Sequence, residues 1–120
     1  MTKKCEEKEK WLEKHLSQRV KETGGLSLKY SNPIATGFPD RMILYPNGTV
    51  LWAEMKTRGK EPTPLQLHRL AQLRALGFHT WVCDSRETVE EIVATGVRIS
   101  RKRARTRGSG SFLTATNKGP

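Results

Sequence analysis

The chain has 120 residues, and its 22 Lys or Arg against 12 Asp or Glu give a formal net charge of +10. This length suits one compact domain with a tail, and no stretch is apolar enough over the length that a membrane span needs. The N-terminus is charged and lacks an apolar signal core, so we do not expect secretion. The positive charge favours a polyanionic partner, because each neutralised phosphate releases counterions; the alternative is a soluble protein with a basic tail.

The cysteines and histidines do not predict a metal site. Cys5 lies in a charged helix and Cys83 ends an apolar strand, so their spacing is not that of metal ligands. We expect two free thiols and a reducing, cytoplasmic location. The three scattered histidines, which we expect to be surface or partly packed residues, are His15, His68 and His79.

Residues 3–23 predict a helix, because Leu12, Leu16 and Val20 recur every four positions and two glycines follow at positions 24 and 25. Glu13 projects beside this apolar stripe, an unusual place for a carboxylate unless it has a task or a partner. Glu6 and Glu9 project at similar angles, but we expect them to be solvated acids near the start of the helix.

Three strands are predicted next, over residues 26–30, 41–45 and 50–56. Residues 31–37 form a loop, and Asn47-Gly48 predicts a hairpin turn between the last two strands. Because side chains alternate along a strand, Glu54, Lys56 and Trp52 share one face. We expect the apolar face, formed by Leu51, Ala53 and Met55, to pack on helices and leave the acid and the lysine to line a cleft.

The C-terminal half predicts a helix, a strand and a helix. Thr63 as N-cap, a proline at the first helical position and Gln66 three residues after the cap form a capping box, and the helix stops at Gly77. Residues 78–83 predict a short buried strand. Ser85 caps the last helix, for which we expect an end at Gly96 and a possible strand over residues 97–100.

The predicted order is α-β-β-β-α-β-α, a mixed α/β domain over residues 1–100. The chain then becomes rich in Arg, Gly and Ser, so residues 101–120 predict a basic, mobile tail.

Asp40, Glu54 and Lys56 form the constellation that carries chemistry. A divalent metal lowers the pKa of bound water and acts as a Lewis acid in phosphodiester hydrolysis, and Mg²⁺ prefers oxygen ligands. The two carboxylates and the carbonyl of Met55 suit this ligand role, and Lys56 suits stabilisation of developing negative charge. The alternative is that Asp40 is a turn residue and that Glu54 and Lys56 are solvated charges on one strand face.

These residues resemble a known nuclease pattern. Gly37-Phe38-Pro39-Asp40-Arg41, followed fourteen residues after Asp40 by Glu54-Met55-Lys56, is similar to the PD-(D/E)xK motif. More narrowly, the series resembles the virus-type replication-repair nuclease (VRR-NUC) domain over residues 13–93. That match includes the glutamate of the leading helix, the segment Pro64-Leu65-Gln66 and the segment Val82-Cys83-Asp84-Ser85.

The resemblance implies a metal-dependent nuclease with a restriction-endonuclease-like core, a mixed central sheet flanked by helices. Asp40, Glu54 and the Met55 carbonyl would bind Mg²⁺ or Mn²⁺, Lys56 would be the catalytic lysine, and Glu13 would complete the cluster. Gln66 matches the glutamine of the family and would reach the site, although a capping role explains it equally well.

The same resemblance implies a DNA substrate and a homodimer. Stand-alone members of this size, found in phages and bacteria, resemble Holliday-junction resolvases, whereas larger members are domains of DNA-repair enzymes. A location in the cytoplasm of a bacterial or phage-infected cell follows. The basic residues that we expect to contact DNA are Lys29, Arg41, Arg58, Lys60, Arg101, Lys102 and Arg103. Lys29 has an alternative role as the polar face of its strand.

Two other functions remain open. The first is a non-catalytic DNA-binding module with a nuclease fold, and the second is a sequence-specific restriction-type endonuclease. Retention of Asp40, Glu54 and Lys56 together argues against a pure binding module. Among the tryptophans, Trp11 and Trp81 are predicted in the core, and Trp52 on the carboxylate face is the candidate for stacking on bases.

Overall fold

The computed structural model describes residues 2–108, with side chains described for residues 8–106. The elements in chain order are α1 (Thr2–Glu22), β1 (Leu26–Lys29), β2 (Arg41–Tyr45), β3 (Thr49–Met55), α2 (Pro64–Ala75), β4 (His79–Cys83) and α3 (Arg86–Gly108). This order and the mixed α/β class confirm the prediction. Within residues 2–108, none of the helices has the length and apolar character of a membrane span.

The sheet has the strand order β1-β2-β3-β4. The first three strands are antiparallel, and β4 lies parallel to β3. Residues 46–48 join the paired ends Tyr45 and Thr49. Asn47 and Gly48 have φ angles of 65° and 68°, a left-handed backbone that asparagine and glycine tolerate best. This turn sets the register that pairs Arg41 with Ala53, so Asp40 and Glu54 are the next facing positions along the ladder.

Alternation along β3 separates the core from the functional face, as predicted. Leu51, Ala53 and Met55 are at most 1% exposed, and they share a core with Leu12 and Leu16 of α1. Full burial of one such aliphatic side chain stabilises the fold by about 1.5–3 kcal/mol. Helices α1 and α3 contact each other, α3 also contacts β2, β3 and β4, and α2 contacts β4.

The prediction that the last helix ends at Gly96 is wrong, as is the strand expected over residues 97–100. Helix α3 continues to Gly108. Gly96 is a packing residue, because a side chain there would collide with the ring of Tyr45. Val97 and Ile99 then pack against the core from the helix, and the Asn47 side chain donates a hydrogen bond to the carbonyl of Ser100 at 2.9 Å.

The helix therefore runs through residue 100, where we expected the folded part to end. Residues 101–108 of the expected tail are helical, and Arg103 donates a hydrogen bond to the carbonyl of Gly48. Residues 109–120 lie outside the described residues, so the mobility of the tail stays a prediction.

The prediction that Trp11 lies in the core is wrong, since 46% of this residue is exposed. Trp81 is partly buried against the core, in agreement with the prediction. Phe78 precedes β4 and is 36% exposed, so the expected buried strand begins one residue later, at His79. Cys83 is a buried free thiol, whereas the side chain of Cys5 lies outside the described residues. His15 is half-buried, and the other two histidines are exposed.

Candidate active site

Asp40, which directly precedes β2, accepts hydrogen bonds from β3 and from the residue that follows β1. Its Oδ1 accepts a hydrogen bond from the backbone N–H of Met55 at 3.0 Å. Its carbonyl accepts another from the N–H of Tyr30 at 2.8 Å. The carboxylate of Asp40 is therefore tied to the strand that carries Glu54.

Glu54 is the most buried acid of the predicted site, at 4% exposure. Among the described residues, its Oε2 is a buried oxygen without a hydrogen-bond partner. A buried charged oxygen without a partner is costly. We expected Glu54 to line an open cleft, but its carboxylate is buried beneath the surface. A cation bound there would neutralise its charge.

Burial and the charges of neighbouring acids raise the pKa of both carboxyl groups. For Asp40, burial raises the pKa most, the Met55 N–H lowers it, and the charges of Glu13 and Glu9 raise it further. For Glu54, burial and then the charge of Asp40 raise the pKa to about 7, against a lowering by Lys56. Two partly buried carboxyl groups whose pKa values are raised by burial and by nearby acids are suited to a shared cation.

Helix α1 supplies two more acids. Glu13 Oε2 lies 3.8 Å from Arg41 Nη2, and the two side chains are 19% and 14% exposed. Glu9 and Glu13 line one surface pocket of about 280 Å³ together with Asp40 and Lys29. The helix therefore brings Glu13 to the predicted site.

Glu9 is the acidic residue that the sequence analysis missed. It is half-buried and lines the pocket with Asp40, so the expectation of a solvated acid was wrong. Its spacing of four residues from Glu13 puts both on one helix face, and this spacing was the available signal. The side chain of Glu6 lies outside the described residues.

The residues fit a divalent metal, although they do not form a closed cage. Within residues 8–106, no three His, Cys, Asp or Glu side chains are arranged closely enough to be a ready metal cluster. Mg²⁺ keeps several of its waters and is commonly held by one or two carboxylates. The unpartnered oxygen of Glu54 beside Asp40 meets this requirement.

Lys56 lies next to this pair at the end of β3. Its charge acts on Glu54, and its backbone N–H donates to the carbonyl of Cys83 at 2.9 Å. Its side chain lines a second surface pocket, of about 320 Å³. The lysine thus joins the buried carboxylates to an open surface.

Gln66 makes the hydrogen bonds of the capping box. Its Oε1 accepts from the N–H of Thr63 at 2.9 Å, and its own N–H donates to Thr63 Oγ1 at 3.2 Å. These contacts support the capping role that was the alternative for Gln66. Its contact with the metal site stays a prediction.

The predicted DNA-contacting residues fall into three groups. Lys29 and Arg58 are exposed and line the pockets beside the carboxylates, and Lys60 is exposed in the following turn. Arg41 is mostly buried against Glu13, a geometry that favours positioning of the acid over a phosphate contact. The third group, which α3 exposes at the opposite end of β3, is Arg101, Lys102 and Arg103.

Comparison with known proteins places this geometry in a family. No family model matches the chain. A curated protein, "Putative nuclease p44" of Acyrthosiphon pisum secondary endosymbiont phage 1, is 42% identical over 76 residues, which cover 63% of this chain and 82% of the relative. A solved structure named as a VRR_NUC domain matches with a TM-score of 0.67 and 28% identity, over 72% of this chain and 95% of the other.

The match covers most of the length of each relative. The chain belongs to the VRR-NUC family of nucleases.

Proposed function

We propose that this nuclease is a divalent-metal-dependent endonuclease that hydrolyses phosphodiester bonds in branched DNA, such as four-way junctions. The observation that carries the proposal is the buried, unpartnered Oε2 of Glu54 between Asp40 and Lys56. An oxygen in this position needs a cation, and a phosphodiester hydrolase uses one.

The ligands of the metal would be Asp40, Glu54 and the carbonyl of Met55, with Glu13 close to them. In an extended strand, the N–H and the C=O of one residue point to the same neighbour. Because the Met55 N–H meets Asp40, its carbonyl faces the same side. When bound, Mg²⁺ or Mn²⁺ would supply Lewis-acid stabilisation of the phosphoryl oxygens and a water of lowered pKa.

The protein's own groups would position and neutralise charge. Lys56 would stabilise negative charge that develops on the phosphate, because it lines an open pocket and its charge also acts on Glu54. Arg41 would hold Glu13 in place through their ion pair. The low exposure of Glu54 strengthens these electrostatic interactions by excluding water.

Exposed cations on two regions of the surface support DNA as the substrate. Lys29 lines the pocket that contains Asp40, and Arg58 lines the pocket that contains Lys56. The basic end of α3 contacts Gly48, about 20 Å from Glu54 at the rise of an extended strand. Duplex DNA carries one charge per ~1.7 Å of its axis, so one duplex arm can meet both regions.

A homodimer would provide the two active sites that a two-fold symmetric junction requires. Strand β1 is an edge of the sheet, and its Leu26 and Leu28 are 54% and 39% exposed. Apolar side chains exposed together on an edge strand are typical of contact surfaces. They support pairing with a second copy of the chain.

Incubation of the pure protein with a panel of DNA structures tests the proposal. The panel comprises four-way junctions, flaps, splayed arms and linear duplex, each with Mg²⁺, Mn²⁺ or a chelator. We expect metal-dependent cuts in branched DNA and slow cleavage of duplex. Equal rates on duplex would refute the structural preference, and binding without cleavage would favour the binding-module alternative. Cuts at one duplex sequence would favour the restriction-type alternative.

A further inference from the structure

The second pocket beside Lys56 is not explained by metal binding. It has a volume of about 320 Å³ and is lined by Lys56 and Arg58, by Lys8 and Trp11 of α1, and by Arg86 of α3. Small-molecule sites begin at about 300 Å³. We call this surface the Trp11 pocket.

Trp11 is exposed to an extent that the packing of α1 does not require. Leu12, its neighbour, is 5% exposed and fills the core, whereas Trp11 is 46% exposed. The guanidinium of Arg86 lies 4.6 Å from the centre of its ring, and the ring of His15 lies 5.2 Å away at an interplanar angle of 8°. Two flat groups, the guanidinium and the imidazole, therefore already pack against the indole.

Positive charge dominates the rim of the Trp11 pocket. Four cations, at positions 8, 56, 58 and 86, face two acids, Asp84 and Glu87. The difference of four and two leaves a net charge of +2. An aromatic face among cations is the composition that binds single-stranded nucleic acid, in which bases stack and phosphates are neutralised.

We propose that the Trp11 pocket binds one unpaired nucleotide adjacent to the scissile phosphate. The base stacks on Trp11, and the phosphate of this nucleotide is held by Arg58 and Arg86. When the base binds, the guanidinium of Arg86 moves from the Trp11 ring to the phosphate, and the base takes its place on the ring. Lys56 lines the same pocket, so the nucleotide in it directly adjoins the reacting bond.

This inference rests on the proposed function and makes it more specific. Inside a duplex, each base is covered by its neighbours, so only an unstacked base can reach an indole face. Flaps, splayed arms and opened junctions supply such bases. The Trp11 pocket therefore gives the nuclease a physical means to prefer branched DNA.

Binding without metal tests the pocket independently of cleavage. The probe is a short single-stranded oligonucleotide with 2-aminopurine at one position, titrated in chelator and followed by anisotropy. We expect Trp11→Ala to weaken binding about 10-fold or more, because one base stacked on an aromatic ring contributes roughly 1–3 kcal/mol. Trp11→Phe should retain most of the affinity. Gln18→Ala, an exposed position on the same helix, is the matched control and should bind like the wild type.

Cleavage provides the second arm. Trp11→Ala should cut flaps and splayed arms about 10-fold more slowly, while slow duplex cleavage and the unfolding midpoint stay at wild-type values. Equal affinity of Trp11→Ala and wild type for the oligonucleotide would overturn the inference, whatever the cleavage rates. A wild type that binds the oligonucleotide through Trp11 but cuts no DNA would support the pocket and contradict the proposed function.

Discussion

The backbone N–H of Met55 donates to Asp40 Oδ1 at 3.0 Å. This contact links the acid before β2 to the strand of Glu54, on which Glu54 and Lys56 project from one face. The two carboxylates thus form a pair even though fourteen positions separate them in the chain. The hairpin turn at Asn47 and Gly48 sets the register that makes the contact possible.

The metal-free protein should lose stability as pH rises. The pKa of Glu54 is about 7 in the fold against 4.5 ordinarily, so between these values the folded state binds more protons than the unfolded state. Stability from this group is complete below about pH 4.5 and decreases as pH rises through 7. The loss at pH 8 is on the order of 3 kcal/mol.

Urea unfolding in chelator at pH 5 and pH 8 measures this loss. Glu54→Gln carries no charge at either pH, so its stability should vary less with pH than that of the wild type. The difference between the two proteins cancels the contribution of other titrating groups. An identical pH dependence in both proteins would contradict the assignment of the raised pKa to Glu54.

Asp40→Asn should abolish cleavage without unfolding the protein. The amide oxygen can still accept the Met55 N–H bond, while the negative charge beside Glu54 is removed. Asp40→Ala should in addition lose about 1–3 kcal/mol, because a buried N–H is left without its acceptor. Calorimetric unfolding and single-turnover cleavage separate the two effects, and equal stability of both variants would show that the hydrogen bond contributes little.

Lys56→Ala should reduce metal-dependent cleavage by about 100-fold or more, the effect of removing one positioned group that stabilises transition-state charge. DNA affinity should change little, since one cation of many is lost. Lys21→Ala, exposed near the end of α1, is the control for charge alone. Similar rates for the two variants would remove Lys56 from the site.

Alanine at positions 101, 102 and 103 should weaken DNA binding through electrostatics alone. Each phosphate contact contributes about 0.9 to the slope of log affinity against log salt, so the slope should decrease by up to about 3. Alanine preserves the last turns of α3, which truncation at residue 100 would remove. If metal-dependent hydrolysis disappears at saturating DNA, the basic end of α3 belongs to the active site.

Local patterns predicted most of the fold. The capping box at Thr63, the Asn47-Gly48 turn and the alternation along β3 each act over a few residues, and all three are present as predicted. Gly96 was wrongly predicted to end the helix, because the need for glycine at this position comes from tertiary packing. The ring of Tyr45, fifty-one positions earlier in the chain, occupies the space of the missing side chain.

The part of the site that lies on neighbouring strands was predicted, and the part that depends on tertiary packing was not. Asp40, Glu54 and Lys56 lie on paired or continuous strands, so spacing alone brings them together. The half-burial of Glu9 and the ion pair of Glu13 with Arg41 depend on how α1 crosses the end of the sheet. The contact of Trp11 with Arg86 depends likewise on how α1 and α3 lie together. Helical periodicity shows which face of a helix is buried, but it gives neither the angle at which the helix packs nor the residues that it contacts.

Calorimetric titration of Mn²⁺ into the protein at pH 6.5, in two buffers of different ionisation enthalpy, tests the metal site most directly. At this pH most Glu54 side chains carry a proton, since the pKa is about 7, and a carboxylate ligand must lose it on binding. We predict tight binding of Mn²⁺ with release of roughly three quarters of a proton from Glu54, weaker binding by Asp40→Asn, and no comparable proton release by Glu54→Gln. Equal Mn²⁺ affinity and proton release in all three proteins would contradict the assignment of Asp40 and Glu54 as the metal ligands.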